Sequence, residues 1–153
     1  MMRRWVRRAV PVVLSLGLLV TEAGAAPSDG PLLTAVRGGD AERVRALLAI
    51  GADPDAPATD GGTPLLWAAE AGDESLTRVL LEAGAAPDRA NRFGATPLLV
   101  AATGGHAGVL QQLLRAGADP NLAMPEGETA LMRAAQAGRV DAVAALVAHG
   151  ADV

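Results

Sequence analysis

The chain has 153 residues, with 13 basic and 17 acidic side chains and a net charge of −4, and half of its residues are apolar. This length suffices for one modest domain, and a single Phe with two Trp excludes an aromatic core. The lack of Cys excludes disulfides, thiolate metal sites and a Cys nucleophile.

The first predicted element is an export leader. Four arginines lie among the first eight residues, and an apolar run over residues 9–20 follows. That run has the length of a signal-peptide core and is short for a membrane span. The small residues Ala23 and Ala25 predict cleavage after Ala25. Residues 1–25 are therefore a predicted signal peptide and the mature chain is exported, with the periplasm as its expected location. The alternative is a leader that is retained as a membrane anchor over residues 9–20.

Removal of the leader makes the chain more acidic. The leader holds four basic residues and one acidic residue, which leaves nine and sixteen and a net charge of −7. An acidic body repels phosphate backbones, so we expect no nucleic-acid partner. All the basic residues are Arg, which together with the high Ala and Gly content is typical of a GC-rich bacterial genome.

The rest of the chain repeats itself every 33 residues. Thr63, Thr96 and Thr129 stand in the similar phrases "GGTPLLWAA", "GATPLLVAA" and "GETALMRAA". A second phrase, "GAD" or close to it, has the same spacing and opens at Gly51, Gly84, Gly117 and Gly150. Self-similarity at a fixed period predicts a solenoid, in which each unit covers the apolar face of the next.

One unit reads as two short helices. Thr63 predicts an N-cap and Pro64 the first helical position, where a missing N–H costs nothing. Asp73 predicts the cap of a second helix with an apolar face, and Gly84 is a natural left-handed residue at its end. Residues 86–95 form a turn-rich connector to the next unit.

These phrases resemble the ankyrin-repeat signature, which reads G-x-T-P-L-H-x-A-A, then G-H, then L-L-x-x-G-A-D-x-N. The chain carries "GGTPLLWAA", "GATPLLVAA", "GGH" and "LLRAGADPN". The resemblance covers residues 31–153 and implies an all-α solenoid of four helix–turn–helix units with hairpin-like loops. The predicted ankyrin-repeat domain spans residues 26–153, and its predicted units are 30–58, 59–91, 92–124 and 125–153.

The chain departs from this pattern in two places. Leu66, Leu99 and Met132 replace the usual His, so its hydrogen bond to the capping turn must be absent or replaced. The fourth unit also lacks the polar residues that seal a solenoid. Either the array continues, or the apolar helix around Val140 and Val147 is exposed and the chain self-associates there.

No catalytic or metal-binding set emerges from the sequence. His106 occupies the Gly-His turn of the family and His149 the end of a helix, so both have expected structural roles. Asp53, Asp55 and Asp60 could hold a cation, but the Asp of the "GAD" phrase recurs and is therefore architectural. We predict that the chain is not an enzyme and needs no cofactor or metal.

The units differ most at the loop tips and at the ends of the first helices. By the resemblance, these positions form the partner-binding face, with Phe93 and Arg92 as the anchors. Trp67 is expected to pack between units rather than to bind. The candidate partner-binding residues are Thr59, Asp60, Glu70, Arg92, Phe93, Thr103, Glu126, Glu128, Arg133 and Gln136.

The expected function is that of an exported, non-enzymatic module that binds another protein, with no membrane contact after leader cleavage. Two alternatives remain. The array could be a structural scaffold that stabilises a periplasmic enzyme, or a membrane-tethered inhibitor if the leader is retained.

Overall fold

The computed structural model describes residues 29–153, which fold into eight short helices. In this part of the chain the only β-type pairing is an isolated bridge between Ala123 and Thr129. The helices are α1 (Pro31–Arg37), α2 (Ala41–Ala49), α3 (Pro64–Ala71), α4 (Glu74–Glu82), α5 (Pro97–Gly104), α6 (Ala107–Arg115), α7 (Ala130–Gln136) and α8 (Val140–Ala148).

Consecutive helices pack as four pairs, and the pairs stack in two rows. The odd-numbered helices contact one another in order and form the inner row, and the even-numbered helices form the outer row. Each pair buries its apolar side on its neighbours, as a repeat unit must. The predicted all-α solenoid of four helix–turn–helix units is confirmed.

The inner helices α3, α5 and α7 begin directly after the repeated threonines, as the sequence predicted. Thr63, Thr96 and Thr129 are N-caps in extended backbone, and each hydroxyl oxygen accepts a backbone N–H. The donors are Leu66, Leu99 and Met132, at 3.2, 3.2 and 3.3 Å. The first unit has Gly30 at this position and no side-chain cap.

In the second and third units, a buried leucine occupies the position at which the ankyrin pattern has His. Leu66 and Leu99 are buried in the stack, whereas Met132 is exposed. The capping turn keeps its Thr hydrogen bond in all three units, so the helix start does not depend on that His.

The outer helices start in two different ways. Asp40 caps α2 and Asp73 caps α4, through carboxylates that accept the N–H groups of Arg43 and Leu76 at 3.0 and 2.9 Å. His106 and Arg139 lie one and two periods after Asp73 and occupy the N-cap positions of α6 and α8. Their side chains make no capping hydrogen bond.

His106 and Arg139 reach back to the preceding unit instead. His106 Nε2 lies 3.2 Å from the carbonyl oxygen of Glu70, and because a carbonyl oxygen only accepts, this nitrogen is the donor of the hydrogen bond. Arg139 Nε donates to the carbonyl of Thr103 at 3.4 Å. The contact of His106 is structural, as predicted. His149 likewise makes a structural contact at the end of α8, with Nδ1 2.8 Å from the carbonyl oxygen of Ala145.

Acidic and amide side chains tie the loops of successive units together. The "GAD" residues Asp53 and Asp119 serve their own turns, each accepting the N–H two residues ahead at 2.9 Å. In each of the first three units, the side chain two positions after the third residue of this phrase accepts a hydrogen bond from the next unit. Asp55 accepts the N–H of Ala86 at 3.0 Å, Asp88 that of Asp119 at 3.0 Å, and Asn121 that of Asp152 at 2.8 Å.

The buried core cluster consists of Leu, Val and Ala, in agreement with the exclusion of an aromatic core from the composition. Its small side chains let neighbouring helices approach closely. The largest fully buried apolar side chains are Leu33, Leu65, Leu76, Leu80, Leu98, Leu110, Leu113, Leu146, Val44 and Val109.

The predicted leader and its cleavage point lie outside the described residues. None of the helices between residues 29 and 153 is long and apolar enough to cross a membrane.

Candidate functional site

Three hairpin-like loops join the outer helix of one unit to the inner helix of the next. In the first loop, the N–H of Gly61 donates to Ala58 at 2.9 Å and the N–H of Ala58 donates to Gly62 at 2.8 Å. The other loops repeat this pair of bonds around Gly94 and Gly127. All three turn glycines have φ between +79° and +86°. Residues with a Cβ atom disfavour this left-handed region, so the backbone of each tip favours glycine.

Side chains hold two of the tips from within. The carboxylate of Asp60 accepts the N–H of Gly62 at 2.9 Å. Asn91 Oδ1 accepts the N–H groups of Phe93 and Ala95, both at 3.0 Å. The third tip is held by its pair of backbone hydrogen bonds alone. The exposed tip side chains are Thr59, Arg92, Phe93, Pro125 and Glu126.

The loops also touch one another. The N–H of Arg92 donates to the carbonyl of Asp60 at 3.2 Å, which links the first loop to the second. A Cβ atom at Gly94 would lie 2.5 Å from Pro125 Cδ, so the second and third loops are in close contact. The three tips thus form one continuous row.

A cleft of about 540 Å³, which we name the tip cleft, lies between the second and third loops. Five of the ten candidate residues line it, and they come from two loops and from α7. The lining residues are Arg92, Phe93, Met124, Pro125, Glu126, Glu128 and Arg133.

The charges of the tip cleft are partly neutralised. Arg133 Nη2 lies 2.5 Å from Glu128 Oε2, so these two candidates pair with each other. Within residues 29–153, Arg92 and Glu126 make no ion pair, and Arg133 Nε is buried without a hydrogen-bond partner. The cleft therefore offers a cation, a carboxylate and the exposed ring of Phe93 to a ligand.

A second cleft, the Trp67 cleft, lies on the inner row and has a volume of about 280 Å³. The guanidinium carbon of Arg37 stands 4.0 Å from the centroid of the Trp67 ring, a distance at which cation and ring attract each other. Arg37 also forms an ion pair with Asp29. Trp67 thus packs between the first and second units and, together with Glu70, also lines a surface.

One column of the inner row recurs at the repeat period. Arg37, Glu70, Thr103 and Gln136 are spaced by 33 residues and all are exposed. The hydroxyl of Thr103 donates to the carbonyl of Leu99 at 2.9 Å, so the hydroxyl proton of this candidate already has a hydrogen-bond partner within its own helix. Sequence reasoning missed Arg37, although its spacing from Glu70 was the signal that could have found it. Met124 in the tip cleft had no such signal.

The other acidic side chains do not converge. Among residues 29–153, no group of three or more His, Asp or Glu side chains is placed to hold a metal ion. Asp55 and Asp60 accept backbone N–H groups instead. The arrangement of tips and clefts suits the binding of a polypeptide, since it combines apolar surface with a few fixed charges.

Comparison with known families agrees with the repeat seen in the structure. A family model described as ankyrin repeats (3 copies) matches the chain over residues 15–91, 32–124 and 84–153. No curated protein matches the chain.

Proposed function

Because the chain belongs to the ankyrin-repeat family, whose repeats are generally protein–protein interaction modules, we propose that it binds another protein through its loop tips and inner row. The family is typically non-enzymatic, and the proposed role is binding alone.

The tip cleft carries the proposal. Phe93 is 67% exposed although it is the only Phe of the chain, and it stands beside Arg92. Aromatic and Arg side chains supply much of the binding energy in protein interfaces. The loop hydrogen bonds hold both residues in place before a partner arrives, which lowers the entropy lost on binding.

Replacing Arg92 and Phe93 together tests this surface. The double variant Arg92→Ala, Phe93→Ala should capture the partner at least roughly thirtyfold more weakly, because the loss of even one hot-spot residue costs about 2 kcal/mol. Crosslinking and capture from a periplasmic extract identify the partner, and titration of that partner measures the loss.

The matched control is the double variant Ile50→Ala, Arg115→Ala. It also removes one exposed apolar side chain and one exposed Arg, but from the outer row. Equal capture by both double variants, with unchanged circular dichroism, would place the binding surface away from the tips.

We further propose that the module is exported to the periplasm after cleavage behind Ala25. The support is the arginine-rich start, the apolar run over residues 9–20 and the small residues before the cut. The intact mass of the protein recovered from the periplasm should correspond to residues 26–153. A mass that includes residues 1–25 would instead support the anchored form.

A further inference from the structure

The Trp67 cleft lies where two inner helices end. Val36 and Arg37 are the last residues of α1, and Glu70 and Ala71 are the last residues of α3. Backbone carbonyl groups give the C-terminus of a helix a partial negative charge, which favours cations. Arg37 is a basic residue in the last turn of α1, whereas the last turn of α3 has none. The backbone around the cleft therefore favours a further positive charge.

The side chains of the cleft also leave one negative charge unbalanced. Arg37 forms an ion pair with Asp29, so its charge is already neutralised. Glu70 is exposed and makes no ion pair within residues 29–153. The backbone that carries Glu70 is held in place, because its carbonyl oxygen accepts the hydrogen bond of His106 at 3.2 Å. One added cation would therefore neutralise the cleft at a carboxylate whose backbone is fixed.

The ring of Trp67 supplies a wall that already accepts a guanidinium. The guanidinium carbon of Arg37 lies 4.0 Å from the centroid of this ring, and Trp is the aromatic side chain that attracts cations most strongly. Packing alone does not require Trp at this position, because Val100 and Arg133 occupy it one and two periods later. The Trp67 side chain is only half-buried, so part of it is open to a ligand.

We propose that the Trp67 cleft binds an arginine side chain of the partner, which lies against the Trp67 ring and pairs with Glu70. Arginine suits this cleft better than lysine, because its planar guanidinium is more weakly hydrated and stacks on aromatic rings. This inference rests on the proposed function, since it names the chemistry that the partner presents to the inner row.

The size and the charge of the protein fit this occupant. The cleft has a volume of about 280 Å³, just below the range of about 300–1,000 Å³ of pockets that hold drug-sized ligands, so it suits a single side chain. Residues 26–153 carry a net charge of −7, which attracts a basic segment of a partner and speeds its association.

Titration of residues 26–153 with acetyl-triarginine amide at low ionic strength tests the cleft directly. This segment contains all eight helices and the core cluster, so it includes its own folding unit. Trp67 is its only tryptophan, because Trp5 lies in the predicted leader, so tryptophan fluorescence reports on this cleft. The arginine peptide should change the emission in a saturable way and should bind more tightly than acetyl-trilysine amide.

Two substitutions separate the cleft from the general attraction of an acidic protein. Glu70→Gln should weaken binding of the arginine peptide roughly fivefold, because it removes the ion pair. The matched control Glu82→Gln removes the same charge from an exposed side chain of the outer row and should change the affinity by less than about twofold. Trp67→Val keeps the net charge and should weaken binding roughly threefold through loss of the ring. Calorimetry measures this variant, since it lacks the fluorophore.

Three outcomes would overturn the proposal: equal losses for Glu70→Gln and Glu82→Gln, full affinity of Trp67→Val, or equal binding of the lysine peptide. Glu70→Gln keeps the test decisive if Trp67→Val fails to fold. The proposed function can fail separately, because the peptide titration involves no natural partner, whereas the double variant of Arg92 and Phe93 is tested by capture of that partner.

Discussion

At the scale of single residues, the ties between units depend on one position of the 33-residue period. Asp55, Asp88 and Asn121 occupy it, and each accepts a backbone N–H from the next unit. Asp and Asn are both short enough to hold an acceptor oxygen over a turn, and a loop amide without a partner would be costly. The shared chemistry of this position is the acceptor and not the charge.

Two substitutions of Asp88 separate the acceptor from the charge. Asp88→Ala removes both contacts to the N–H of Asp119 and should lower the free energy of unfolding by about 1 kcal/mol. Asp88→Asn keeps an acceptor, as Asn121 does in the next unit, and should cost less than half as much. Urea denaturation of both variants measures the difference, and equal losses would assign the effect to the charge.

At the scale of helices, the N-cap residues of the outer row have two different roles: those of α2 and α4 cap their own helices, and those of α6 and α8 contact the preceding unit. The side chains of Asp40 and Asp73 cap their own helices, whereas His106 and Arg139 contact carbonyl groups 36 residues earlier in the chain. The first turns of α6 and α8 therefore lack a side-chain acceptor. The Arg139 contact is long at 3.4 Å, so it replaces the missing cap only weakly.

Restoring the cap of α8 should stabilise the protein. Arg139→Asp supplies the acceptor that Asp73 provides for α4, and its negative charge suits a helix N-terminus. We expect the free energy of unfolding to rise by about 0.5–1 kcal/mol. Arg139→Ala is the control, because it removes the contact to Thr103 without adding a cap and should not stabilise. A gain in melting temperature for the Ala variant alone would contradict the capping argument.

At the scale of the whole molecule, stability is shared between neighbouring units. The four helices α3 to α6 have a unit on both sides, whereas α1, α2, α7 and α8 have one on a single side among the described residues. In a stack whose units contact only their neighbours, the end units open first.

Hydrogen exchange should show this gradient. In dilute solution, residues 31–50 and 130–153 should exchange faster than residues 64–115, because fewer contacts must break to open them. Mass spectrometry of peptides measures the exchange rates, and equal exchange across residues 31–153 would contradict this gradient.

The architecture could be predicted from the sequence because the signals that specify it are local. Thr63 and Pro64 specify the start of a helix, and Gly61 and Gly72 adopt the left-handed backbone of the turns. The 33-residue period indicates that the units stack. Each of these features depends on residues a few positions apart or on the repeat itself. The same register placed the candidate binding residues at the tips and on the inner helices.

Only the tertiary structure decided which candidates meet and which neutralise each other. Arg92 and Phe93 face α7 across the tip cleft, Arg133 pairs with Glu128, and Arg37 lies over Trp67. The period gives the register of a residue but not the direction of its side chain. That direction depends on rotamers and on neighbours in another unit, whose distances arise only when the stack is assembled.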